Sequence, residues 1–145
     1  MEYKFRPASS DDYDFLRALH RNTMKDYVEK TWGWDEEDEE KRFKESFDPD
    51  KLSVVVVEGS DAGMIVVEDK GTELFLSKIQ ILPEYQGRGL GTIIVNDLIK
   101  KARQRMIPVA LQVLKVNPAK KLYERLGFMQ IGETETHYLM RQESN

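Results

Sequence analysis

Three glycines within five residues, Gly87, Gly89 and Gly91, stand in the run Gln86-Gly87-Arg88-Gly89-Leu90-Gly91. An apolar run from Leu74 to Leu82 precedes them and reads as a strand; Thr92 to Met106 follows and reads as an amphipathic helix. A strand, a glycine-rich turn and a helix N-terminus bring backbone N–H groups to one point, where the helix dipole favours negative charge. Glycine keeps side chains out of that approach. The chemistry this spacing predicts is the binding of a phosphate or pyrophosphate, with Gln86 and Arg88 flanking the loop and Thr92 offering a hydroxyl. A Walker A loop is excluded, because no lysine follows Gly91. A dinucleotide fingerprint is excluded too: position 92 is threonine, and Val109 to Val116 contains no acidic residue.

The elements that must position this loop follow from periodicity and breakers. Tyr3 to Arg6 reads as a short strand stopped by Pro7, and Ser9 or Ser10 caps a helix with Asp11 and Asp12 in its first turn. Tyr27 to Trp34 reads as an aromatic connector, and Asp35 to Phe47 as a second helix. Lys51 to Glu58 and Gly63 to Glu68 form a hairpin about Gly59-Ser60-Asp61. The strand Glu73 to Leu82 ends at Pro83, which has no N–H to donate. The glycine-loop helix places Ile94, Leu98 and Ala102 on one stripe with Ile99 beside it. Val109 to Val116 is the next strand. Asn117 caps a helix with Pro118 at its first position and Gly127 at its end, and Phe128 to Gly132 and His137 to Gln142 read as a final strand pair. The pattern is α+β: one mixed sheet with helices on both faces, a single domain over residues 1–145.

Composition narrows the classes. A chain of 145 residues with 40% hydrophobic and 33% charged content can bury one real core. A net charge of −4 argues against nonspecific nucleic-acid binding and is compatible with a cationic small substrate. With no cysteine there is no disulfide, cysteine zinc site or cysteine nucleophile, and the two histidines, His20 and His137, make no histidine-rich metal site. No apolar run approaches the length of a membrane span, and the N-terminus lacks a signal-peptide core, so a cytoplasmic protein is expected.

Gln86 to Gly91 after a strand, followed about 25 residues later by Asn117-Pro118-Ala119-Lys120-Lys121-Leu122-Tyr123-Glu124-Arg125-Leu126-Gly127-Phe128, resembles the GNAT family of N-acetyltransferases. The resemblance covers roughly residues 50–132 well and the N-terminal third loosely. It implies a mostly antiparallel central sheet, acetyl-CoA as acyl donor and no metal. By the same resemblance, Gln86, Gly87, Arg88, Gly89, Leu90, Gly91 and Thr92 hold the pyrophosphate, and the backbone of Ile79, Gln80, Ile81 and Leu82 pairs with the pantetheine arm. Asn117 and Lys120 are implied coenzyme contacts. Asn117 stands six residues before Tyr123 where the family pattern has seven, and Val116 occupies the usual place, so Asn117 is either a cap alone or a cap and a coenzyme contact.

Tyr123 matches the family's general acid, a phenol near the departing thiolate; the alternative is a packed tyrosine with a satisfied hydroxyl. Leu122, Leu126 and Phe128 are the expected core contacts around it. The positions where some relatives carry a glutamate base hold Phe75 and either Leu111 or Gln112. Glu73 either reaches the site through a water or is an exposed residue beside a turn. Tyr27, Trp32 and Trp34 either wall an acceptor slot or pack as core. The leading expectation is acetyl transfer to a small-molecule or peptide amine. The rival is a noncatalytic acyl-CoA-binding module, and the C-terminal strands can pair with a second copy.

Overall fold

Val54, Val55, Val56 and Val57 are all buried, as a run of β-branched residues in a strand covered on both faces must be. In the computed structural model, which describes residues 2–143, this run is the second of seven strands. The elements are β1 (Tyr3–Pro7), α1 (Tyr13–Trp32), α2 (Glu36–Ser46), β2 (Ser53–Val57), β3 (Ser60–Asp69), β4 (Leu74–Ile81), α3 (Leu90–Gln104), β5 (Val109–Leu114), α4 (Ala119–Arg125), β6 (Met129–Glu133) and β7 (His137–Gln142). The strand order is β1-β2-β3-β4-β5-β7-β6. β1–β2, β2–β3, β5–β7 and β6–β7 pair antiparallel, while β4 and β5 pair in parallel from Leu74↔Val109 to Leu76↔Leu111. The fold is α+β, an open mixed sheet with four helices.

The chain gathers into two compact units, with β3 and β4 contributing residues to each. Unit 1 takes the chain up to Val66 together with Lys78–Gln86. Its core joins Leu16 and Leu19 of α1, Phe43 of α2, Leu52, Val54 and Val56, and Met64 of β3. Arg6 of β1 ties this unit's edge together: its guanidinium reaches Asp12 at 2.7 and 3.0 Å and Asp61 at 2.9 Å. Gly63 lies so close to β4 that a Cβ there would stand 2.3 Å from the Gln80 carbonyl oxygen. Unit 2 takes Val67–Ser77 and the chain from Gly87 on. Here α3 buries Leu90, Ile94, Val95, Ile99 and Ala102, and β5 buries Val109, Ala110, Leu111, Val113 and Leu114.

The structure corrects two helix boundaries, one buried stripe and the hairpin turn, since Ser60 and Asp61 belong to β3 rather than to the turn. The expected connector from Tyr27 is helix as far as Trp32, since no glycine or proline interrupts α1 before Gly33, whose φ of 83° ends it. Tyr27 and Trp32 are therefore helical, and only Trp34 lies in the link to α2. The glycine-loop helix begins at Leu90 rather than Thr92, because Gly89, at φ 82°, already acts as its N-cap. Leu98 is half-buried; the inward stripe runs through Ile94, Val95, Ile99 and Ala102 instead.

Candidate functional site

Gly87 and Gly89 both adopt positive φ, 74° and 82°, which side-chain-bearing residues rarely tolerate. The first intrahelical bond of α3 runs from the Ile93 N–H to the Gly89 carbonyl at 3.0 Å. The N–H groups of Leu90, Gly91 and Thr92 thus belong to the first turn that has no carbonyl to bond. No side chain caps this end, and no acidic residue stands in its first turn. A Cβ at Gly87, Gly89 or Gly91 would meet nothing within 4 Å. The result is an open, uncapped, positively polarised helix start of the kind an anion occupies. Leu90 contributes only backbone here, since its side chain is 1% exposed.

Before the loop, within unit 1, backbone groups of β4 point alternately to its two edges. Leu82 N–H bonds to the Ala62 carbonyl at 2.8 Å, and the Gln80 carbonyl faces Gly63. Those two residues therefore spend their backbone on β3, and Ile79 and Ile81 present theirs to the opposite edge. There the Gln86 side chain donates to the Ile81 carbonyl at 2.8 Å. Of the four residues expected to pair with an extended ligand, Ile79 and Ile81 are thus the two whose backbone faces away from β3.

In unit 2, Tyr123 is on α4, buried to 8% exposure, with its ring edge-on to Phe128 at 5.6 Å. Phe128 is buried as expected, but Leu122 and Leu126 are only half-buried, and Tyr123 itself takes the inward place beside Phe128. Its hydroxyl has no hydrogen-bond partner among the described residues. Burial pushes the phenol up to about 12, so it is protonated throughout the neutral range. Asn117 Oδ1 accepts from Ala119 N–H at 2.9 Å, which is a capping contact at the start of α4. Lys120 Nζ lies 4.0 Å over the Tyr138 ring, a cation–π contact. Glu73 faces Arg141 at 3.9 Å and is mostly covered.

Of the aromatics in unit 1, Tyr27 is half-buried, Trp32 is 56% exposed, and Trp34 lies beneath Lys25, whose Nζ is 5.9 Å from its ring. His20 contacts Gln80 by a hydrogen bond and Phe43 by ring stacking. Among the described residues no helix is long and apolar enough to cross a membrane. Nor does any group of three or more His, Asp or Glu stand where it could hold a metal ion.

Residues 16–128 match the sequence model of the acetyltransferase (GNAT) family, well over half of the chain. The chain belongs to that family. Over 89 residues it is 29% identical to the ribosomal protein bS18-alanine N-acetyltransferase of Haemophilus influenzae, covering 60% of this chain and 61% of that one. It is 34% identical over 147 aligned positions to the mycothiol acetyltransferase of Acidothermus cellulolyticus, covering 88% of this chain and 44% of the relative. It thus spans less than two thirds of the length of either relative. Among solved structures, the PaiA N-acetyltransferase of Thermoplasma acidophilum, in complex with coenzyme A, superposes with a TM-score of 0.78 over 99% of both chains. Identity there is 18%, so that likeness is one of fold.

Proposed function

We propose that this chain transfers acetyl from acetyl-CoA to a primary amine by direct attack on the thioester. The observation that carries this reading is the uncapped N-terminus of α3, opened by Gly87 and Gly89 and lined by the N–H groups of Leu90, Gly91 and Thr92. The pyrophosphate of the coenzyme fits that donor set, and its extended arm fits the backbone of Ile79 and Ile81. Arg88 and Thr92 stand at the loop as further polar contacts, and Asn117 and Lys120, which engage the Ala119 N–H and the Tyr138 ring, are assigned to the coenzyme as well.

The acyl group moves in one step from sulfur to nitrogen: a C–N bond forms, the C–S bond breaks, and sulfur leaves with the electron pair. Tyr123 is assigned the proton for that sulfur. A phenol near 12 is a weaker acid than a thiol near 8.5, so it keeps its proton until sulfur gains charge and serves first as a hydrogen-bond donor. The proton shed by the new amide nitrogen restores it. No carboxylate is assigned as base: Phe75 and Leu111 or Gln112 stand where one would serve, and Glu73 is engaged by Arg141. The acceptor must then arrive, or be selected, as the free amine.

Gly91→Val is the sharpest test. Gly91 does not have positive φ and a Cβ there meets open space, so the fold should tolerate the change while the isopropyl group fills the cradle. Calorimetry should show acetyl-CoA affinity falling at least tenfold, about 1.4 kcal/mol. Unchanged affinity in a folded variant would remove the cradle assignment. Thiol release measured with a panel of amines separates the enzyme from its rival, since tight binding with no turnover on any amine would favour the noncatalytic module.

A further inference from the structure

Unit 1 contains a cleft of about 470 Å³ that the reading above does not use. Its walls include His20 of α1, Glu39, Arg42, Phe43 and Glu45 of α2, and Lys78 of β4. Part of the lining is flat and apolar: the His20 ring stacks on Phe43 with centroids 5.4 Å apart and planes 28° from parallel. Gln80 Nε2 donates to His20 Nδ1 at 3.2 Å, which leaves the imidazole proton on Nε2. Burial, reinforced by the charge of Lys78, pushes this histidine down to about 4, so it is neutral in use. Gln80 itself is 6% exposed, and its Oε1 is buried with no hydrogen-bond partner.

The charged lining of the cleft is two acids, Glu39 and Glu45, and two bases, Arg42 and Lys78, so what matters is which of them are paired. Glu39 pairs with Arg42 at 3.8 Å, and Glu45 occupies an exposed position on the rim. Lys78 makes no ion pair among the described residues. It remains accessible to solvent, yet surrounding protein atoms lower its pKa by desolvation. An ammonium that is open to solvent and makes no ion pair can receive an anion delivered beside it.

We propose that this cleft binds a small carboxylate with a flat apolar body, its carboxylate on the Lys78 ammonium and its body over Phe43 and His20. The inference rests on unit 1 alone and stands whether or not the acetyl-transfer reading does.

The test is calorimetry on the full chain with phenylacetate, and with phenethylamine as a probe of the same shape and opposite charge. Phenylacetate should bind, phenethylamine at least tenfold more weakly. Lys78→Met should reduce phenylacetate affinity at least tenfold and Lys78→Arg by no more than about threefold, with circular dichroism and urea midpoints verifying both folds. Lys78→Gln replaces Lys78→Met if the latter does not fold. Absence of phenylacetate binding up to millimolar concentration would overturn the proposal. So would equal or tighter binding of the amine, or an affinity indifferent to loss of the Lys78 charge.

Discussion

Tyr123 carries the chemical claim. Its ring packs against Phe128 whether or not it bears a hydroxyl, so Tyr123→Phe separates packing from proton donation. Turnover with a competent amine should fall ~100-fold while acetyl-CoA affinity stays within about twofold. A rate within a factor of about two of the parent would make Tyr123 a packing residue only. The phenol's raised pKa fixes the alkaline limb: below about 12 the proton is present, so Tyr123 imposes no downturn in rate across neutral pH. The acid limb should follow the acceptor instead, rising roughly tenfold per pH unit below the amine's own pKa. A break shared by two amines of different basicity, and abolished by Glu73→Gln, would reveal a carboxylate base.

Asp12 carries a different pH effect. Hydrogen bonds from Arg6, and from the Ser9 N–H, hold its carboxyl below the usual carboxylate range. A depressed folded pKa gives stability that is complete above about 4, the unfolded value, and lost as pH falls through the folded one. Asp12→Asn should therefore be less stable at pH 7 by about 1–3 kcal/mol, short of a fully buried pair because Arg6 remains 35% exposed. Its urea midpoint should also fall less than that of the parent between pH 5 and 2.

Among elements, the β3–β4 contact at Gly63 sets the tightest limit. Gly63→Ala would drive a Cβ to 2.3 Å from a backbone oxygen, so strands rather than a flexible side chain must move. A loss of at least about 2 kcal/mol is expected, read from denaturant unfolding. This constraint was not legible in the sequence, where Gly63 looked like the start of a strand. Gly87, Gly89 and Gly91 were legible because their demand is local: backbone angles and open approach are encoded by the missing Cβ itself. The end of α1 was misread because Tyr27 and Trp32 are near-neutral in helix propensity, and neither marks a stop as Gly33 does. The cleft of His20, Phe43 and Lys78 was hidden for another reason. Its members come from three elements, and the His20–Gln80 contact that fixes it spans 60 residues of sequence, so no spacing announces it.

For the whole molecule, a coenzyme that binds only the folded chain must stabilise it by mass action. At a hundredfold excess over its dissociation constant, acetyl-CoA should add about 2.7 kcal/mol, which for a chain of this size raises Tm by roughly 5–10 °C. Gly91→Val should lose at least about half of that rise at the same concentration, while Tyr123→Phe should keep it. The alternation along β4 has a longer reach. Ile79 and Ile81 offer backbone to one edge, whereas Lys78 and Gln80 offer side chains to α1 and α2. Genetic drift can rewrite the second set without touching the first, because every amino acid except proline carries the same N–H and carbonyl. On the two proposals made above, one strand serves both sites by different means: single substitutions at Lys78 or His20 can change what the cleft accepts while leaving the backbone that Ile79 and Ile81 are proposed to offer the coenzyme unchanged.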